Sequence, residues 1–191
     1  TIYGATWVDG KFGKALSFDG INDYVDCGND DSLNITTSGT LSLWIKRNTT
    51  GVRHFMIHKG KDSHYDKNSA YEFEVTDTNI LRLIFGDGTD WQYITGSSTI
   101  DSGIWYHVVA TWDGSIVRLY INGDQDGSDT SQSVIPQTVS ESLLIGKTRI
   151  TGYNFPFNGT IDEIRIYNRA LTPEEIRMHY LSEFQKYNST E

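Results

Sequence analysis

The chain has 191 residues, of which 37% are hydrophobic and 13% aromatic, and its formal net charge is −9. This length supports one folded domain with a buried core, and the surplus of carboxylates disfavours nucleic acid and anionic membranes as partners. No run of about 18 apolar residues is present, so we expect no insertion into a membrane.

Alternating apolar residues predict strands along most of the chain. Leu16 and Phe18 share one face of the first clear strand, which ends at Asp19-Gly20. Turn dipeptides such as Asp113-Gly114 separate the later runs. Roughly twelve short strands with few helical signals predict an all-β, two-sheet antiparallel sandwich. The further strands are expected at 24–27, 40–46, 54–58, 71–76, 80–85, 91–95, 105–112, 116–121, 142–146 and 157–167.

One short helix is predicted at the end of the chain, from Thr172 to about Glu183. Thr172 stands at the N-cap position, Pro173 follows it, and Glu175 lies where the second half of a capping box belongs. Such a box stabilises the helix by about 1 kcal/mol.

The last predicted strand carries an acid among apolar residues. Strict alternation places Asp162 on the same face as Ile164 and Ile166. A carboxylate beside a core is costly unless it is paired, hydrogen-bonded or metal-bound. Asp162 therefore requires a partner from elsewhere in the chain.

Four stretches carry a family resemblance: KFGKALSFDG (11–20), WYHVVATWDG (105–114), LYING (119–123) and GTIDEIRIYNRAL (159–171). Together they resemble the LamG-like jelly-roll domains of the concanavalin A-like lectin/glucanase superfamily. The resemblance implies a jelly roll over residues 1–191, working as an accessory module of an extracellular or cell-surface protein. That fold hosts lectins, carbohydrate-binding modules, adhesion domains and some enzymes.

The resemblance also implies one structural calcium ion. Family members often hold it between the loop after the Phe-Asp-Gly strand and the acid of the last strand, which corresponds to Asp19 and Asp162 here, with Asn22, Asp23 and backbone carbonyls. Such oxygen donors suit calcium better than zinc. The alternative is that Asp19 and Asp162 cap turns or pair with a nearby cation.

Catalysis has little support in the sequence. Retaining glucanases of this fold use Glu-x-Asp-x-Glu on one strand, and Glu72 and Glu74 lack the central acid. We expect both to lie on the solvent side of their strand, and we expect no enzyme. A glycoside hydrolase or polysaccharide lyase is the less favoured alternative.

The first candidate ligand site is the turn and strand that contain Asp87, Asp90, Trp91, Gln92 and Tyr93. Aromatic faces accept sugar rings at low entropy cost, and acid and amide groups reach the hydroxyls. A lone aromatic is nevertheless more typical of a core.

The second candidate ligand site is the loop that carries Tyr153, Asn154 and Phe155. Together the two sites favour a carbohydrate-binding module, and a protein-binding adhesion or structural module is the alternative.

The single cysteine, the histidines and the first residue carry weaker signals. Cys27 is the only cysteine, so it forms no disulfide framework, and we expect it to be buried. His54 and His58 are expected on one solvent-facing strand face, and a zinc site with His64 is less favoured. Thr1 is not an initiator, which suggests a domain taken from a longer protein and monomeric in isolation.

Overall fold

The computed structural model describes residues 1–61, 66–150, 152 and 155–188. Within these ranges the chain forms fifteen strands and one α-helix, α1 (Pro173–Asn188). The strands are β1 (Ile2–Tyr3), β2 (Thr6–Asp9), β3 (Lys14–Asp19), β4 (Tyr24–Asp26), β5 (Gly39–Arg47), β6 (His54–Gly60), β7 (Ser69–Val75), β8 (Ile80–Gly86), β9 (Trp91–Thr99), β10 (Trp105–Trp112), β11 (Ile116–Ile121), β12 (Asp124–Gln125), β13 (Thr130–Ser131), β14 (Leu143–Ile145) and β15 (Asn158–Tyr167).

The strands form two antiparallel sheets, which confirms the predicted jelly-roll sandwich. The seven-stranded front sheet has the order β1-β4-β14-β6-β7-β8-β9. The eight-stranded back sheet has the order β12-β11-β10-β5-β15-β3-β2, and β13 pairs with β11. The first and last long strands, β3 and β15, are neighbours in the back sheet.

The core lies between the sheets and follows the predicted alternation on most strands. Leu41, Leu43 and Ile45 of β5 are fully buried from the back sheet. Phe73 and Leu83 face them from the front sheet and belong to the same apolar cluster. Hydrophobic burial on this scale is the main source of stability for such a sandwich.

Strand β15 departs from simple alternation. Its register with β5 shifts between Asp162 and Arg165, and Glu163 has a left-handed backbone with φ of 47°. Such a bulge reverses which residues face the core. Asp162 therefore lies opposite Trp44 on the outer face, while Ile161 and Ile164 pack at the core, and the predicted sharing of one face by Asp162 and Ile164 is wrong.

Helix α1 covers the outer face of the back sheet. The capping box is confirmed, because the Thr172 N–H donates to Glu175 Oε2 (2.9 Å) and the Glu175 N–H donates to Thr172 Oγ1 (3.2 Å). The Tyr180 ring stacks on Trp44, with ring centroids 5.6 Å apart. The helix runs beyond the predicted end near Glu183. Among the described residues, none of the helical segments is long and apolar enough to cross a membrane.

Several polar residues expected at the surface are buried. Glu72 and Glu74 of β7 have no exposed area, so their predicted place on a solvent face is wrong. His54 and His58 are also buried, and an irregularity in β6 places His54 opposite Val75 and His58 opposite Glu72, on different faces. When a strand is buried on both faces, the alternation of its residues in the sequence does not indicate which polar side chains are exposed to solvent.

The single cysteine also departs from expectation. Cys27 is exposed, not buried. It follows directly after the short strand β4, where the chain leaves the sheet.

Candidate functional site

Two exposed aromatic residues mark the edge of the front sheet. Trp91 and Tyr93 alternate on β9, opposite Gly86 and Ile84 of β8, so both side chains project from the same outer face. Their exposed fractions are 46% and 44%. The edge strand thus presents apolar ring surface to solvent. A lone aromatic residue is more often part of a core, so this exposure is unusual.

The Arg82 guanidinium lies beside this aromatic pair. Its carbon is 5.1 Å from the centre of the Tyr93 ring, a cation–π contact. We call Trp91, Tyr93 and Arg82 the aromatic strip. It combines ring surface with hydrogen-bond donors, which are the two chemistries that sugar recognition needs.

A row of charged groups continues from the aromatic strip across the front sheet. Arg82 and Arg53 both bind the Glu74 carboxylate, Arg82 at Oε1 and Arg53 at Oε2 (2.8 and 3.0 Å). The Arg53 guanidinium in turn lies 5.0 Å from the Phe55 ring and 5.2 Å from the Phe155 ring. Two cations therefore share one buried anion on this face.

The three polar residues predicted beside Trp91 hold local structure. Asp87 Oδ1 accepts from the N–H groups of Thr89 and Asp90, both at 2.7 Å. These backbone donors, that of Asp90 first, lower the pKa of the Asp87 carboxyl.

Asp90 and Gln92 have similar roles on either side of Trp91. Asp90 Oδ1 accepts from the Trp91 N–H, and Gln92 donates to Ser131 O and accepts from the Ser133 N–H. Asp87 and Asp90 remain exposed, whereas the Gln92 amide is occupied in anchoring the 131–134 segment.

The second predicted site is only partly visible. Tyr153 and Asn154 lie outside the described residues. The Phe155 ring stacks on Phe55, with centroids 6.3 Å apart, and its carbonyl accepts from the Phe55 N–H. Phe55 is on β6, three strands from β9, or about 14 Å. The two predicted ligand sites are therefore separate places on the front sheet.

The structure does not bring together the four residues predicted at calcium. Asn158 of β15 pairs with Asp19, and Asp162 lies four residues further along the same strand. At strand spacing this separates the two acids by about 13 Å. Among residues 1–61, 66–150, 152 and 155–188 no group of three acids, histidines or cysteines is suited to holding a metal ion.

The acids of the β3–β4 loop have turn-forming contacts instead. Asp19 Oδ1 accepts from the N–H groups of Ile21 (2.8 Å) and Asn22 (3.3 Å). The buried Asp23 accepts from the Asp19 N–H at 2.9 Å. Asn22 is exposed.

Asp162 has its own separate partners. Its carboxylate accepts from the Phe12 N–H (2.9 Å) and from the Glu163 N–H (2.8 Å). These residues do not fit one calcium site, and the alternative that both acids cap turns describes their contacts.

Glu72 and Glu74, the two acids considered as candidates for hydrolysis, are buried and bound by neighbouring side chains. Glu72 accepts a hydrogen bond from Ser69 Oγ, and its Oε1 lies 3.5 Å from His58 Nδ1. Glu74 is bound by two arginines. Neither acid is exposed.

Sequence reasoning missed Arg53 and Arg82. Arg82 interrupts the apolar run of β8 at an alternate position, a signal that it shares a face with Glu74 on the neighbouring strand. Arg53 lies in the loop before β6, where there is no alternation of apolar residues to indicate which face its side chain occupies.

Residues 19–177 match the Laminin_G_3 family, described as the concanavalin A-like lectin/glucanases superfamily. The chain belongs to this family. One relative is the human protein Adhesion G-protein coupled receptor D1, which is 36% identical over 87 residues, or 44% of this chain. The match spans only 10% of that receptor.

Solved structures share the Laminin_G_3 fold at low sequence identity. Domain 4 of AbnA, an extracellular arabinanase from Geobacillus stearothermophilus, was solved with arabinotriose. Its superposition on this chain has a TM-score of 0.71 at 23% identity and covers 92% of this chain and 80% of that one. The CBM40 of a Ruminococcus gnavus sialidase, solved with α2,3-sialyllactose, gives 0.73 at 13% identity, with 87% and 96% covered. At these identities the likeness shows the fold alone.

Proposed function

We propose that this chain is a non-catalytic carbohydrate-binding module that holds sugar rings on its aromatic strip. The observation that carries the proposal is the exposure of Trp91 and Tyr93, at 46% and 44%, on one face of an edge strand. A folded domain rarely leaves two neighbouring large rings in water without a use for them.

The aromatic strip suits a sugar for physical reasons. A pyranose ring has an apolar face that covers an aromatic ring, and an aromatic side chain loses little conformational entropy when it is covered. Arg82 supplies donors beside Tyr93, and its link to Glu74 fixes the guanidinium in place. The sugar complexes of the two similar structures, arabinotriose and sialyllactose, support this reading.

The lack of catalysis is part of the proposal. Glycoside hydrolysis needs two carboxyl groups that reach a sugar bond from opposite sides. The acids of β7 are buried, and Glu74 is neutralised by Arg53 and Arg82. The module would then deliver a partner domain to a polysaccharide outside the cell or at its surface.

A protein-binding adhesion module is the second candidate. It is supported by the human relative, whose name places it among adhesion receptors. In that case the same exposed rings would contact a protein surface, where aromatic residues are also enriched.

The test is a glycan array followed by titration calorimetry with arabinan, xylan and sialyllactose. Trp91→Ala and Tyr93→Ala should each weaken binding by at least about tenfold, because each removes ring area that the sugar covers. Trp7→Ala is the matched control, since Trp7 is 63% exposed but lies on β2 at the edge of the back sheet.

The outcomes separate the candidates. Loss of binding in both strip variants with retention in Trp7→Ala supports the proposal. Unchanged binding in both strip variants overturns it. Absence of binding to every glycan also overturns it and leaves the adhesion candidate. Release of reducing sugar from any of these glycans would contradict the non-catalytic part.

A further inference from the structure

A cavity lies on the β6 side of the sandwich, away from the aromatic strip. It has a volume of about 230 Å³ and is formed by the β3–β4 loop, the β5–β6 loop and the segment before β15. This is less than the roughly 300 Å³ of the smallest drug-sized sites, which suits one sugar residue. Its lining includes Gly20, Val52, Arg53, His54, Phe155 and Asn158.

The described lining of this cavity carries one cation and no acid, in a chain of net negative charge. The cation is Arg53, and the histidine beside it is His54. Asp19, next to Gly20, is exposed and directs Oδ1 to the amides of its own loop. Glu74 is shared by Arg53 and Arg82, and the buried Glu72 also attracts the charge of Arg53, so the open edge of the guanidinium is what remains for a ligand.

Arg53 has a donor left for a ligand. Its Nε and Nη2 both bind Glu74, while Nη1 makes no hydrogen bond to the described part of the chain. The guanidinium packs against both the Phe55 and Phe155 rings, with its carbon 5.0 and 5.2 Å from their centres. A fixed guanidinium with an open edge is the preferred partner of a carboxylate.

One buried cation, Arg47, lies near His54 of this lining. Arg47 has no exposed area, and its Nε and Nη1 lack hydrogen-bond partners. Its Nη2 donates to Asn79 Oδ1 and Ile100 O, and no carboxylate among the described residues forms an ion pair with it. Unpaired buried charge is costly, and a nearby anion relieves part of that cost.

His54 contributes a neutral polar group to the same wall. Burial, and secondarily the charge of Arg47, lowers its pKa to about 4, so the imidazole is uncharged at neutral pH. Its Nε2 lies 3.3 Å from Thr49 Oγ1, and its buried Nδ1 has no partner. A hydrogen bond from a ligand would satisfy that atom.

We propose that this cavity, which we call the rim pocket, binds the carboxylate of a uronic acid. Arg53 would hold the carboxylate, and the amide of Asn158 and the ring of Phe155 would contact the rest of the sugar. The rim pocket is separate from the aromatic strip, so this proposal can be correct or wrong independently of the proposed function.

The experiment uses the whole chain and three probes: galacturonate, its neutral counterpart methyl galactoside, and acetate. Titration by NMR or calorimetry should show galacturonate binding that weakens with added salt, weaker acetate binding and no methyl galactoside binding. Equal binding of galacturonate and methyl galactoside would overturn the proposal. Absence of galacturonate binding at millimolar concentration would do the same. Acetate binding as tight as galacturonate would refute the sugar contacts.

Charge substitutions at Val52 locate the site without disturbing the core. Val52 lines the rim pocket and is 47% exposed. Val52→Glu should weaken galacturonate binding about tenfold, Val52→Lys should strengthen it, and Val52→Gln should change it little. Equal affinities in all three variants would overturn the assignment. Trp91→Ala should leave galacturonate binding intact, and its loss there would place the carboxylate on the aromatic strip instead.

Discussion

Asp162 accepts a hydrogen bond from the backbone N–H of Phe12, at 2.9 Å and 150 positions away in sequence. The contact fixes the turn between β2 and β3. The Phe12 ring then meets Trp44 edge-on at 5.4 Å, and Lys11 lies 5.4 Å from the Trp44 ring. Gly10 admits the carboxylate, because a Cβ at that position would lie 2.5 Å from Asp162 Oδ2. The buried acid therefore anchors a turn.

Replacement of Asp162 should destabilise the fold without any requirement for metal. Asp162→Ala removes the acceptor of two backbone N–H groups, one of them from Phe12, and should lower the free energy of unfolding by about 1–3 kcal/mol. Urea denaturation measures this. Asp9→Ala is the control, because Asp9 is exposed in the same hairpin and pairs with Lys14. Equal effects of the two substitutions would contradict the turn-anchor role.

Alanine substitutions at two glycines with similar backbone angles should separate the effect of backbone strain on stability from the effect of packing. Gly146 and Gly28 have φ of 89° and 76°. A Cβ at Gly146 would lie 2.5 Å from Phe18 Cε1, whereas a Cβ at Gly28 would meet nothing within 4 Å. Gly146→Ala should therefore be less stable than Gly28→Ala by about 2 kcal/mol, as measured by chemical denaturation. A larger loss in Gly28→Ala would show that the contact with Phe18 is not tight.

Stability should fall as the pH drops below about 6.5, the ordinary pKa of histidine. Burial, followed by the charges of His179 and Arg165, lowers the pKa of His107 to about 3, and burial lowers that of His54 to about 4. Between these values and 6.5 the unfolded chain binds more protons than the native protein, so acid favours unfolding.

Each of these histidines should contribute about 1 kcal/mol per pH unit between pH 6.5 and 5, above the range where most carboxylates titrate. His107→Gln, which retains a polar group beside Ser42 Oγ, should flatten this slope by about that amount in denaturation series. A slope identical to that of the unsubstituted protein would refute the assignment.

Removal of the buried Glu74 carboxylate should destabilise the fold far more than removal of a surface acid. Glu74→Ala leaves Arg53 and Arg82 without their shared anion and should cost about 3 kcal/mol. Asp129→Ala breaks an exposed ion pair with Arg118 and should cost less than about 1 kcal/mol. Thermal melting of both variants compares them directly, and similar losses would mean that Glu74 is better solvated than its burial indicates.

Patterns that depend on neighbours in sequence were readable before the structure. The capping box of Thr172 and Glu175 forms as predicted, because both partners lie within one helical turn. Strand β10 has the predicted bounds, and Leu16 and Phe18 face the core, because alternation on a strand needs only its own residues.

The candidate sites were only partly readable. The exposure of Trp91 and Tyr93 depends on β9 being an edge strand, which no local pattern shows. Arg53 and Arg82 meet Glu74 only because β6, β7 and β8 are adjacent.

The strand pattern, the sandwich class and the capped final helix follow from short-range periodicity and turn chemistry, so the amino-acid sequence was enough to predict them. The roles of the acids depend instead on contacts between distant parts of the chain. A bulge at Glu163 turned Asp162 away from the core and toward Phe12, and the pairing of β15 with β3 kept it apart from Asp19. Backbone N–H groups from distant turns satisfy these carboxylates, and the position of such groups is set by the packing of the whole chain.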